Sequence, residues 1–143
     1  MKLYTIGFTK KSAQTFFELL RASGAKRVVD VRLHNNTQLA GFSKRDDLAW
    51  FLRAICRMDY VEQPLLAPTE ELLARGRKGP WAAYEKDFLA LIRKRRIQDE
   101  VAKDVIADGV LLCSEHEPEH CHRRLVAEYL REHWGKVEIV HLV

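Results

Sequence analysis

The chain has 143 residues, 47% of them hydrophobic and 31% charged, which excludes a disordered polymer and predicts one ordered domain over 1–143, at roughly 100–200 residues per domain. No apolar run approaches the ~20 residues of a membrane helix, so a membrane partner is not expected. The broken opening Met1–Phe8 does not read as a secretory signal, and three cysteines are an odd number; free thiols in a cytoplasmic protein are the expectation.

The net charge of +4 is unevenly distributed. Between Glu71 and Arg96 stand eight basic residues, among them Arg93, Lys94, Arg95 and Arg96, against the three acids Glu71, Glu85 and Asp87. The rest of the chain is slightly acidic. Such a segment attracts phosphates and makes nucleic acid a candidate partner, although basic helix ends are commonly just solvated.

In chain order, Leu3–Ile6 is β-rich and closed by Gly7, which predicts a strand running into a turn. Ser12 caps a helix carrying Phe16, Phe17, Leu19 and Leu20, with Gly24 as its stop. Arg27–Arg32 reads as a second strand, completing a β-α-β unit and implying parallel pairing. A polar loop from Leu33 to Arg45 precedes a helix with Asp46 or Asp47 as cap and Leu48, Phe51, Leu52 and Ile55 on its apolar face. Tyr60-Val61 is a third strand, punctuated by Pro64 and Pro68. Pro80 opens a helix through Trp81, Tyr84, Phe88, Leu91 and Ile92. A further helix is expected from Gln98 to Ala107, a buried strand at Val110–Cys113, a helix from Pro118 to His133 and a closing strand at Val137–Val143. This order predicts an α/β fold, a three-layer sandwich around a mostly parallel, Rossmann-like sheet.

Ligands of such sheets bind beyond the carboxyl ends of the strands. Three polar groupings fall there: Gly7-Phe8-Thr9, Asp30-Val31-Arg32 and Cys113-Ser114-Glu115. Alternation puts Asp30 and Arg32 on one side of their strand. They read either as an ion pair closing the strand end or, for Arg32, as a planar anion ligand. The densest cluster is Cys113 through Arg124. In it Cys113 or Cys121 is a candidate nucleophile, Glu115 an acid or base, His122 an orienting group and Arg123 a second anion ligand. Helical spacing from Leu125 and Val126 turns Cys121 and His122 inward, which equally fits a core thiol and a satisfied core histidine. Cys56 follows Ile55 on an apolar helix and reads as core.

Stricter motifs are absent. Six residues after Cys113 stands Glu119, so a Cys-x5-Arg phosphate loop fails, and no Gly-x-Gly-x-x-Gly or Walker pattern exists. Cys113, His116, His120, Cys121 and His122 lack standard zinc spacing, so neither a metal nor another cofactor is expected.

Taken together, Tyr4-Thr5-Ile6-Gly7, Val29-Asp30-Val31-Arg32, Leu111-Leu112-Cys113-Ser114-Glu115, Cys121-His122-Arg123 and Ile139-Val140-His141-Leu142 resemble the DUF488 domain, a family of unknown function. The Pro-x-Ser element that many members carry after Asp-Val-Arg is replaced by Leu33-His34-Asn35-Asn36-Thr37, similar to a subgroup with an Asn-Asn-Thr loop. The resemblance implies a compact α/β sandwich and no established activity. Three functions compete. One is a pocket at the strand ends for an anionic small molecule, phosphorylated or nucleotide-like, with thiol-assisted chemistry. The others are nucleic-acid binding through 71–96 and a non-catalytic interaction or regulatory domain.

Overall fold

The computed structural model describes residues 1–36 and 41–143. Five parallel strands, β1 (Lys2–Gly7), β2 (Arg27–Asp30), β3 (Asp59–Glu62), β4 (Gly109–Cys113) and β5 (Glu138–Leu142), form one sheet in the order β3-β2-β4-β1-β5. All-parallel pairing needs a crossover between successive strands, and the apolar helices supply it. Helix α1 (Ala13–Ser23) begins where Ser12 accepts a hydrogen bond from the Thr15 N–H, and ends at Gly24, whose φ of 73° lies in the left-handed region.

Strand alternation sorts the core into two layers. Tyr4, Ile6, Val28, Val110 and Leu112 face α1 and α2 (Arg45–Phe51), packing on Phe16, Leu20, Leu48 and Leu52. Leu3, Val29, Leu111 and Cys113 face the opposite way. They meet α4 (Trp81–Arg95) and α7 (His122–Trp134) through Phe88, Ile92, Leu125, Val126 and Leu130. Burying such a side chain fully contributes about 1.5–3 kcal/mol, so the central strand β4, buried at all five positions, anchors both layers. None of the described helices is long and apolar enough to cross a membrane.

The differences from expectation have local causes. Helix α3 (Glu70–Lys78) was not foreseen; Thr69 caps it by accepting from the Leu72 N–H, but Gly76 and the charge run obscure its periodicity. The helix expected over Gln98–Ala107 is two short ones, α5 (Ile97–Glu100) and α6 (Lys103–Ile106), separated by extended backbone at Val101 and Ala102. Pro80 stands at the cap of α4 rather than in its first turn. Lys44 takes the cap of α2, leaving Asp46 and Asp47 in the first turn, where carboxylates favour the positive helix end. The helix expected from Pro118 begins only at His122, with Cys121 as its extended cap residue.

Between β1 and β5, the buried Thr5 hydroxyl lies 2.6 Å from His141 Nδ1. Burial, reinforced by the charge of Arg123, holds His141 below its ordinary value of 6.5. A histidine depressed in the folded state binds fewer protons than the unfolded chain. Its contribution is therefore present above about pH 6.5 and declines as the pH falls below it. Denaturation midpoints measured from pH 7.5 to 5 should fall more steeply for the wild type than for His141→Gln.

Candidate active site

Parallel register brings the three polar groupings to one edge. Gly7 pairs with Cys113 and Asp30 with Leu112, so the chain leaves β1, β2 and β4 at one level. Beyond these ends lies a cavity of about 630 Å³, bordered by Arg32, Trp81, Tyr84, Cys113, Glu115 and His122 among others. Four of these six were candidates from sequence. Trp81 and Tyr84 pack with the core and also form the cavity wall. Trp81 stacks on Tyr84 at 5.2 Å and on His120 at 5.0 Å between ring centroids. Helix α3 makes this fit: a Cβ on Gly76 would lie 2.5 Å from the Tyr84 ring.

Asp30 and Arg32 form the ion pair that alternation allowed. Arg32 donates from Nε and Nη2 to the two Asp30 oxygens, at 2.8 Å each, and from Nη1 to the Ser43 carbonyl at 2.7 Å. Asp30 also accepts from the Arg32 backbone N–H at 3.1 Å and from the Tyr60 hydroxyl. A carboxylate has about four lone-pair sites, and here all are filled. Burial and the facing Asp30 charge push the Tyr60 hydroxyl far up, so it remains a donor. The pair thus fastens β2 to β3 and to the turn Gly41–Ser43, fixing the segment that carries Leu33 and His34 to the cavity rim. Thr37 to Ala40 of that loop lie outside the described residues.

Arg123 is fully buried. Its Nη1 donates to the Glu115 carbonyl at 2.6 Å and its Nη2 to the His116 carbonyl at 3.2 Å, while Nε has no partner. Among the described residues no carboxylate pairs with it, unlike Arg32 and Arg124. The side chain pins the loop between β4 and α7 from beneath, and Gly7 makes room for it. A Cβ on Gly7 would stand 1.5 Å from the Glu115 carbonyl oxygen and 3.0 Å from Arg123 Nη1. Only glycine fits. Arg123 therefore sits under the site rather than in the cavity, a position its spacing from the buried Ala127 and Leu130 on α7 encodes.

The thiols lie above it. Cys113 Sγ, Cys121 Sγ and a His122 ring nitrogen come within 4.8 Å of one another, all buried. His122 Nε2 is 2.7 Å from the Val31 carbonyl. A carbonyl only accepts, so Nε2 carries the proton, and in the neutral ring Nδ1 is left as an acceptor 3.3 Å from Cys113 Sγ. Burial pushes the Cys113 thiol well up, and the hydrogen bond and charge of Cys121 add to this. For Cys121 burial acts upward too. The hydrogen bond from Cys113 and the charge of Arg123 act the other way, and Cys121 is held well below the ordinary 9.0. The two thiols are thus pushed in opposite directions.

The same three atoms could hold a divalent metal ion by proximity, with His122 braced through its other nitrogen. Charge argues for the thiolate instead. Two thiolates around a dication sum to zero and leave Arg123 buried without a counterion, whereas one thiolate balances it. Glu115 is exposed on the cavity wall.

The basic segment is partly consumed by the fold. Arg95 Nη1 donates to the Leu65 and Ala67 carbonyls at 2.8 and 2.6 Å, and Arg96 pairs with Asp99 at 2.7 Å. Arg93 and Lys94 are exposed at the end of α4.

The sequence profile described as a domain of unknown function, DUF488, matches residues 12–130. The chain belongs to the DUF488 family. The match covers α1 through most of α7 and includes every candidate site residue except Gly7. Comparison with curated proteins and with solved structures gave no match. Within this DUF488 chain the Asp30–Arg32 pair is a separable, testable unit. Removing one partner of a buried pair costs about 3–5 kcal/mol, while replacing both by apolar groups is often near neutral. Chemical denaturation should show Asp30→Ala destabilised by that amount. The double variant Asp30→Ala/Arg32→Met should recover most of it.

Proposed function

We propose that the chain is an enzyme that performs covalent thiol chemistry on a small molecule held in the cavity beyond β2 and β4. Cys113 is the nucleophile and His122 its proton acceptor. The observation that carries this reading is the Cys113–His122 contact at the cavity floor, with the histidine oriented by the Val31 carbonyl. A nucleophile, an adjacent base and a third group that fixes the base make the arrangement expected of an activated thiol. Cys121 supplies negative charge against Arg123, and Glu115 is placed to exchange a proton with bound substrate.

The aromatic wall of Trp81, Tyr84 and His120 suits a flat or apolar portion of the ligand. An anionic group is the part of the expectation with least support. Arg32 borders the cavity but commits three of its five donors to Asp30 and Ser43, and Arg123 serves the loop. Nucleic acid is less favoured for a similar reason, because Arg95 and Arg96 have internal partners.

The test is site-resolved alkylation of the intact chain by a small neutral electrophile, with chelator present and mass-spectrometric readout. Cys113, with His122 beside it as base, should be modified ahead of the half-buried Cys56, whose thiol donates to the Phe17 carbonyl. General-base assistance is typically worth about 100-fold or more, so His122→Gln should slow modification of Cys113 at least ~10-fold. Folded protein whose Cys113 reacts no faster than Cys56 would remove the thiol from the mechanism.

A further inference from the structure

We propose that Cys113 and Cys121 are a redox pair that closes to a reversible disulfide when a hydroperoxide enters the cavity. The inference rests on Cys113 being the cavity's reactive thiol and adds a partner to it. The two sulfurs and the His122 nitrogen share a space less than 4.8 Å across, and only Cys113 of the two cysteines borders the cavity. An oxidant therefore meets Cys113 first, with Cys121 behind it. Cys56 packs with the opposite layer and is not in reach of either.

The backbone permits closure. Cys113 is the last residue of β4, and Cys121 precedes α7 with extended dihedrals, φ −139° and ψ 140°. The residues between them form neither helix nor strand. Sulfurs within 4.8 Å of each other can approach to the ~2.05 Å of a disulfide by side-chain rotation and a small shift of this loop, without unwinding a helix.

The chemistry balances in two steps. The Cys113 thiol, giving its proton by way of His122 to the leaving oxygen, attacks hydrogen peroxide and forms a sulfenic acid and water. The Cys121 thiolate then attacks the Cys113 sulfur, forming the S–S bond and expelling hydroxide. Two electrons pass from the two sulfurs to the peroxide, and the net charge of −1 passes from thiolate to hydroxide. Arg123 makes the product labile. Its buried charge has the Cys121 thiolate as counterion in the reduced state only, and a stabilised thiolate makes a disulfide easier to reduce. Closure also withdraws Cys113 from His122, so oxidation silences the proposed site until a thiol restores it.

The experiment treats the full chain with hydrogen peroxide in the presence of chelator, traps remaining thiols by alkylation and maps them by mass spectrometry. Alkylatable cysteines should fall from three to one, that one being Cys56. A Cys113–Cys121 cross-linked peptide should appear, and millimolar glutathione should reverse it. Cys121→Ser should stop at a Cys113 sulfenic acid that dimedone captures. Sulfenic or sulfinic acid at Cys113 of the wild type, with Cys121 still alkylatable, would overturn the disulfide and leave the reactive thiol standing. Disulfides found only between molecules would overturn it in the same way. A folded chain whose Cys113 resists both peroxide and alkylation would overturn both.

Discussion

A cation without an acid shapes the business end of this fold. Arg123 is fully buried at the start of α7, its Nη atoms bonded only to loop carbonyls and its Nε unbonded. Carbonyl dipoles satisfy hydrogen bonds but do not cancel a charge, and an uncompensated buried charge costs several kcal/mol. The group in position to compensate it is the thiol of the nearby Cys121, which the Arg123 charge helps to push down. On this view the lowered Cys121 thiol is the counterion that lets Arg123 be buried. Arg123 in turn holds the loop that carries Ser114 and Glu115 to the cavity. Gly7, at the end of β1, is the steric condition for both.

The second buried arginine is handled differently, and the contrast separates frame from chemistry. Arg32 faces a carboxylate saturated by three of its own donors, the backbone N–H, Nε and Nη2, and by Tyr60. Its pair is internally neutral and has no charge left for a ligand to complete. It holds strand ends and the neighbouring turn in place, so that the Val31 carbonyl stands where His122 Nε2 meets it. The path from sequence to chemistry thus runs from strand alternation through the Asp30–Arg32 pair to one backbone carbonyl. From there it passes through a histidine tautomer to a thiol.

Much of this was legible in the chain. The β-α-β opening, the capping by Ser12 and Gly24, and the continuous apolar run of β4 each follow from local chemistry, and all five strands lie near their expected places. The polar groupings after β1, β2 and β4 point to one edge of the sheet, because parallel strands must end together there. What escaped depends on contacts between distant segments. Helix α3 hides its apolar side in a run of charges, yet its Gly76 shapes the aromatic wall through Tyr84. Arginine beside cysteine and histidine suggests an anion ligand at Arg123. Its spacing from Ala127 and Leu130 turns it into the protein instead. No pattern in the chain shows that Val31 offers its carbonyl to His122, since backbone acceptors leave no trace in residue type.

The central claim is a charge: one cysteine thiolate, at Cys121, balancing Arg123 in the folded chain. The direct measurement is an ultraviolet thiolate titration of the folded protein, with chelator present, for the wild type and for Cys121→Ser. The wild type should carry one thiolate per chain well below the ordinary cysteine value of 9.0, and the signal should vanish in Cys121→Ser. A wild type that develops no thiolate absorbance until that ordinary range, while still folded, would contradict the pairing of Cys121 with Arg123.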